Sequence, residues 1–152
     1  MPGISITPLA ATEIDIAFPL AREAVPGLDA ASWRAHARAA LSAARQGRGG
    51  IMVARRAGRA HPCGLVCYRR DRELGRGAVL TASHFVALDI LDPSPVLAAL
   101  VAALETLAGE LGCGAVRVTV APGNREVGVV LAAAGHLPDG ETLRKATGAR
   151  TG

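Results

Sequence analysis

Apolar and polar residues alternate over residues 4–7, a period of two that predicts a short strand. Between residues 12 and 24 the period lengthens. Ile14, Ala17, Phe18 and Ala21 fall on one face of a helix that Thr12 can cap and Pro26-Gly27 ends. A second helix, capped by Asp29 or Ser32, stops at the glycines around residue 47. It carries Trp33, Ala37, Ala40, Leu41 and Ala44 on its apolar side and Arg34, Arg38 and Arg45 towards water. Three strand-like runs follow, residues 51–55, 63–69 and 78–91, joined by short turns, as in an antiparallel meander. The third run is long for one strand, which predicts a bend or bulge inside it.

Asp92-Pro93-Ser94-Pro95 reads as a helix start, with Ser94 as cap and Pro95 in the first helical position. Val96, Leu97, Leu100, Val101, Leu104, Leu107 and Leu111 give that helix a wide apolar face, and Gly112 and Gly114 end it. Residues 115–121 are apolar on both sides of the strand period, which suits a buried, central parallel strand. Asn124 opens a helix to about residue 134. Pro138-Asp139-Gly140 is a turn, and residues 141–146 read as a last strand, with one more short strand near His136 as a variant. The order β-α-α-β-β-β-α-β-α-β(β) predicts a single α/β (α+β) domain over residues 1–152. Its mixed central sheet has six to seven strands and helices on both faces.

Composition narrows the class. Half of the 152 residues are apolar and 20% are charged, which excludes a disordered chain. Aromatics are 3%, so Leu, Val, Ile and Ala must fill the core. No apolar run approaches the length of a bilayer span, and no basic stretch precedes an apolar one at the start. The expectation is a cytoplasmic protein without a membrane partner. Net charge is +4, with Lys145 the one lysine among the 17 basic residues. The positive excess gathers in Arg55, Arg56, Arg59, Arg69, Arg70, Arg72 and Arg76, at strand ends and turns where solvated charges usually sit. An anionic ligand is the alternative reading. No aromatics interleave with these arginines, which speaks against nucleic acid. Cys63, Cys67 and Cys113 form no Cys-x-x-Cys pair, and no His-x-x-x-His occurs, so buried thiols and no metal site are expected.

One local pattern is more specific. Val116-Arg-Val-Thr-Val120 leads into Ala121-Pro-Gly-Asn124, then Val127, Val130 and Gly135-His136, and Leu111-Gly-Cys-Gly114 joins the preceding helix to the strand. With the element order, this resembles the GNAT superfamily of acetyl-CoA-dependent N-acetyltransferases along nearly the whole chain. The resemblance implies two parallel strands, residues 78–91 and 115–121, that splay at their C-terminal ends. The pantetheine arm of acetyl-CoA or another acyl-CoA would pair with the freed backbone. It implies contacts to that co-substrate at Leu88, Ile90 and Leu91, at the helix amides of Val96, Leu97 and Ala98, and at Asn124. The acceptor would be a small-molecule or protein amine, and dimerisation through late strands would give a homodimer. His84 and Asp89, on the long strand, are the candidate catalytic bases. Their opposite parity lets them share a face only across a bulge. Glu73, His36, His61 and His136 read as solvated or structural.

The sequence also departs from the family pattern. Where the family has Gln/Arg-x-x-Gly-x-Gly/Ala, this chain has Asp92-Pro93-Ser94-Pro95-Val96-Leu97. An acid replaces the basic or amide residue, the glycine positions hold Pro95 and Leu97, and two prolines remove two N–H donors. Leu131 stands where family members often place a tyrosine that protonates the leaving thiolate. The expectation is weak or absent acetyl-CoA binding. Two functions stay open: a divergent acyltransferase, and a GNAT-fold binding or oligomerisation module without turnover.

Overall fold

The computed structural model describes residues 3–89 and 92–148. The chain runs through β1 (Ile4–Pro8), a 3₁₀ turn (Ala11–Glu13), α1 (Phe18–Ala24), α2 (Ala30–Arg45), β2 (Gly49–Arg56), β3 (Gly64–Glu73), β4 (Gly77–Ala87), α3 (Ser94–Glu110), β5 (Ala115–Val118) and α4 (Arg125–Ala133). The described strands form one sheet in the order β1-β2-β3-β4-β5. The first three pairings are antiparallel and β4–β5 is parallel.

The sheet has a core on each side. Met52, Ala54, Val66, Leu80 and Ala82 point towards α3 and α4, where Leu100, Leu104 and Val127 meet them. Ile51, Val53, Leu65, Cys67 and Val86 face α1 and α2 and pack on Leu20, Ala21, Trp33 and Ala37. Alternating faces of each strand thus fill two separate cores, as a layered sheet requires. Two glycines allow close approach. A Cβ on Gly64 would lie 2.7 Å from Cγ1 of Val96, so the bare backbone lets α3 settle on the sheet. A Cβ on Gly50 would lie 2.6 Å from the Tyr68 hydroxyl, so that ring occupies the space.

Several expected boundaries move. The first helix begins at Phe18 rather than near Thr12, because Pro19 lacks an N–H and fits only the opening turn. Residues 11–13 form a 3₁₀ turn in which the Glu13 carboxylate accepts from the Ala10 N–H (3.0 Å). Asp29 caps α2, accepting from the Ser32 N–H at 2.7 Å. At α3, Ser94 lies inside the helix instead of capping it, and the Asp92 carboxylate accepts the Ser94 N–H (3.0 Å).

The sheet has five strands among the described residues, not six to seven. Residues 136–148 form no strand: Leu137 and Leu143 are exposed, so the segment buries no apolar face that would hold it against β5. β5 is accordingly an edge strand and four residues long, not a central strand of seven. The tail is tied down by charge instead. Asp139 accepts from Arg76 (2.9 Å) and Arg117 (2.8 Å), and Arg117 also pairs with Glu73, which is therefore not simply solvated. These arginines hold the Glu73 and Asp139 carboxyls below their ordinary values by direct hydrogen bonds. His136 closes α4, its N–H donating to the Leu131 carbonyl at 3.0 Å. The three cysteines are free thiols, and burial pushes Cys67 up to about 12.

Candidate functional site

The predicted bulge lies in β4. Cys67 of β3 pairs with Ser83 and Leu65 pairs with Val86, so one residue of β3 faces two of β4, His84 and Phe85. His84 has φ = 58°, the left-handed region that side-chain-bearing residues rarely adopt. Before the bulge, Leu80 and Ala82 face α3; after it Phe85 does, while Val86 faces α1 and α2.

The parallel pairing ends at the same point. β4 and β5 run in register from Val79–Ala115 to Ala82–Val118, and the Thr119 N–H makes a last bond to the Ala82 carbonyl (2.9 Å). Beyond it the two chains part around a slot of about 660 Å³, walled by residues 83–88 on one side and 119–122 on the other. Leu97, Val127 and Asn124 also line it. The Leu88 N–H donates to the Cys63 carbonyl of the β3 side (2.8 Å). Backbone groups alternate along a strand, so Val86 also turns towards β3 and the peptide groups of Phe85 and Ala87 turn towards the slot.

A second cavity, about 340 Å³, lies under α1 and α2 and is lined by Trp33, His36, Leu28, Leu65 and Cys67 among others. His84, Ala24 and Val25 line both cavities, so the imidazole stands where slot and cavity meet. His36 approaches His84 edge-on at 6.5 Å between ring centroids and is stacked on Trp33 at 6.4 Å. Trp33 is held by its indole N–H, which donates to the Ile14 carbonyl (2.6 Å). Partial desolvation of the His84 ring, and then His36, lower the His84 pKa below its ordinary value of 6.5. Both causes favour the neutral imidazole, the form that can accept a proton.

Asp89 stands apart from His84. It pairs with Arg56, whose strand turns Met52 and Ala54 to the α3 side, while His84 lines the α1–α2 cavity. The bulge falls at His84 itself, so regular alternation from 84 to 89 keeps the two on opposite faces. His36 was missed as a site residue, since its neighbours are brought to it by the fold.

The expected contacts to an acyl-CoA divide. Leu88 lines the slot; Ile90 and Leu91 lie outside the described residues. At the start of α3, Pro93 and Pro95 have no N–H and that of Ser94 is held by Asp92. The Leu97 N–H donates to the Pro93 carbonyl (3.0 Å), and that of Ala98 falls in the next helical bond. Within residues 93–98 the amide of Val96 alone is left for a ligand. Asn124 is the N-cap of α4, its side chain accepting from the Val127 N–H (3.3 Å). The slot thus suits an amide-bearing arm, and the α3 start does not suit a diphosphate. Leu131 carries no ionisable group, and the Tyr68 ring lies over Gly50 of β2, so neither presents an acid to the slot. Arg69 and Arg70 pair in register with Thr81 and Leu80, on the side of Ala82 away from the slot, and Arg69 holds Asp71. Among the described residues no group of three His, Cys, Asp or Glu side chains is placed to hold a metal, and no helix is long and apolar enough to cross a membrane.

No family model matches the sequence, and no curated protein is similar to it in sequence. The fold is that of the GNAT acetyltransferases. The aminoglycoside N-acetyltransferase AAC(6')-Iy, solved in complex with CoA, superposes with a TM-score of 0.80 at 16% identity, covering 96% of this chain and 95% of that one. Glucosamine-6-phosphate N-acetyltransferase from Arabidopsis thaliana gives 0.75 at 14% identity over 94% and 97%. The ribosomal-protein-alanine N-acetyltransferase of Brucella melitensis gives 0.77 at 14% identity over 95% and 99%.

Proposed function

We propose that the protein is an N-acyltransferase that moves an acyl group from a pantetheine thioester, acetyl-CoA being the form the GNAT resemblance implies, to an amine. The observation that carries this reading is the parting of β4 and β5 beyond Ala82, with the bulge setting His84 at the mouth of the opening. The amides of the arm pair with the peptide groups of Phe85 and Ala87, as an added strand would. The N–H of Phe85 polarises the thioester carbonyl as its oxygen gains charge.

The acceptor enters through the α1–α2 cavity. Its walls are mostly apolar and contain no Asp, Glu, Lys or Arg among the described residues. They suit a small amine with an apolar body packed on Trp33 rather than a polycation. The amine nitrogen attacks the acyl carbon and its proton passes to His84. The carbon–sulfur bond breaks, and the imidazolium returns the proton to the leaving thiolate. An amide and a free thiol result, with no net proton change.

A thiol-release assay with acetyl thioesters and a panel of aliphatic and aryl amines tests this. Turnover that falls in His84→Gln, while circular dichroism stays unchanged, is the expected result. Absence of turnover across the panel favours the second reading, a binding module, for which the Asp92-capped α3 start and Leu131 are the observations.

A further inference from the structure

We propose that the slot recognises its donor only as far as the pantetheine arm, so that the natural donor is an acyl-pantetheine thioester whose nucleotide diphosphate, if present, makes no productive contact. The inference rests on reading the slot as the acyl-donor site, and it concerns what the far end of that donor meets.

A polyanion needs cations or free N–H groups, and the slot is poor in both. Two charged side chains line it, Glu23 and Glu126, and no Lys or Arg does among the described residues. Two helix starts flank it, those of α3 (through Leu97) and α4 (through Asn124 and Val127). Helix N-termini attract phosphates because their first amides are unbonded and carry the positive end of the helix dipole. Here the chain itself takes up most of those amides.

At α3, the Asp92 carboxylate takes the Ser94 N–H, two prolines offer none, and the Leu97 N–H is already bonded to Pro93, which leaves the single amide of Val96. At α4, the Asn124 side chain takes the Val127 N–H, and the Arg125 N–H donates to the Gly123 carbonyl (3.0 Å). Each start also carries an acid, Asp92 and Glu126, that repels a phosphate, and the cation at the α4 start, Arg125, does not line the slot. The slot walls themselves hold peptide groups and apolar side chains, which match the amides and methylenes of pantetheine. The arm is recognised; a diphosphate is not.

The experiment compares S-acetylpantetheine with acetyl-CoA in the thiol-release assay, using the full chain and a saturating amine. A third arm presents the acetyl group on the phosphopantetheine of an acyl carrier protein. The proposal expects kcat/KM for S-acetylpantetheine within about threefold of that for acetyl-CoA. A site that used the diphosphate through two or more charged hydrogen bonds would favour acetyl-CoA by about 100-fold or more, and that result overturns the proposal. Preference for the carrier protein over the free thioester supports a protein-borne donor, and parity supports a free one.

Should no donor turn over, the acyltransferase reading fails, and thermal shift still decides this one. Equal stabilisation by pantetheine and CoA supports it; stabilisation by CoA alone, or by neither, overturns it. As a converse, Asp92→Arg with Pro95→Gly supplies a cation and an N–H at the α3 start. The folded variant should gain about tenfold or more in kcat/KM for acetyl-CoA with S-acetylpantetheine unchanged, and no gain counts against the proposal.

Discussion

His84 combines a strained backbone with the proposed proton acceptor, and two substitutions separate those properties. An L-residue in the left-handed region costs about 1–2 kcal/mol. Glycine escapes that cost but gives back about 0.5–1 kcal/mol through its larger unfolded-chain entropy. The His84→Gly variant should therefore be more stable than His84→Ala by on the order of 1 kcal/mol, or about 2–4 °C in Tm for a chain of this size. Both variants lose the imidazole and its edge contact with His36, so those losses cancel in the comparison. Both should lose turnover alike, by about 100-fold or more, the usual contribution of a positioned base. Urea denaturation and the thiol-release assay read the two effects separately. Equal stability of the two variants would refute the left-handed bulge at φ = 58°. Retained turnover in both would refute the role of the imidazole. A residue that strains its own backbone for the sake of its side chain is expected where chemistry is done.

Three further outcomes follow from the geometry. Gly64→Ala should destabilise the fold by about 1–3 kcal/mol in urea unfolding, because the new Cβ would lie 2.7 Å from Val96 on α3. In a pH profile of kcat/KM, the acid limb should inflect below the ordinary histidine value of 6.5, since desolvation and His36 both lower the His84 pKa; His36→Gln removes one of the two causes and should move the inflection upward. Asp139→Asn should leave Tm nearly unchanged but speed limited proteolysis within residues 136–148, which Asp139 ties to Arg76 and Arg117; in the parent protein the same loosening should appear as pH falls through the lowered Asp139 and Glu73 values, and not at neutral pH.

Much of this is legible in the sequence itself. The meander, the crossover helix and the bulge all follow from apolar spacing and from one run too long to be a plain strand. What sequence could not supply came from competition between local signals. Ser94 and Asp92 both suit a helix cap, and the two prolines decide between them by fixing where N–H groups exist. Residues 141–146 contain strand-forming residues, yet with Leu143 exposed they bury no face and form no strand. Residues 115–121 look buried by composition, but an edge strand carries valines too, and the pairing that ends at Val118 depends on β4. His36 had no partner at a recognisable spacing, because its ring neighbours are one helical turn back and on a distant strand. Trp33 and His36, three residues apart on α2, were the signal that could have pointed to a lined cavity.

The site itself is the consequence of one additional residue. Up to Ala82 the even-numbered positions of β4 face α3 and the chain hydrogen-bonds to β5. The bulge exchanges the faces, so that Phe85 takes over the α3 side and His84 is left on the α1–α2 side. The same kink bends β4 away from β5 after a four-residue ladder, which frees the peptide groups of Phe85 and Ala87. A regular strand would have continued the ladder and closed the slot, and it would have placed position 84 on the α3 face with Leu80 and Ala82, away from His36. Deleting a single residue at the bulge should therefore abolish the opening and the histidine's placement together, whereas a side-chain substitution removes only the second. That separation is why the backbone register, more than any one side chain, determines whether β4 and β5 part to form a slot.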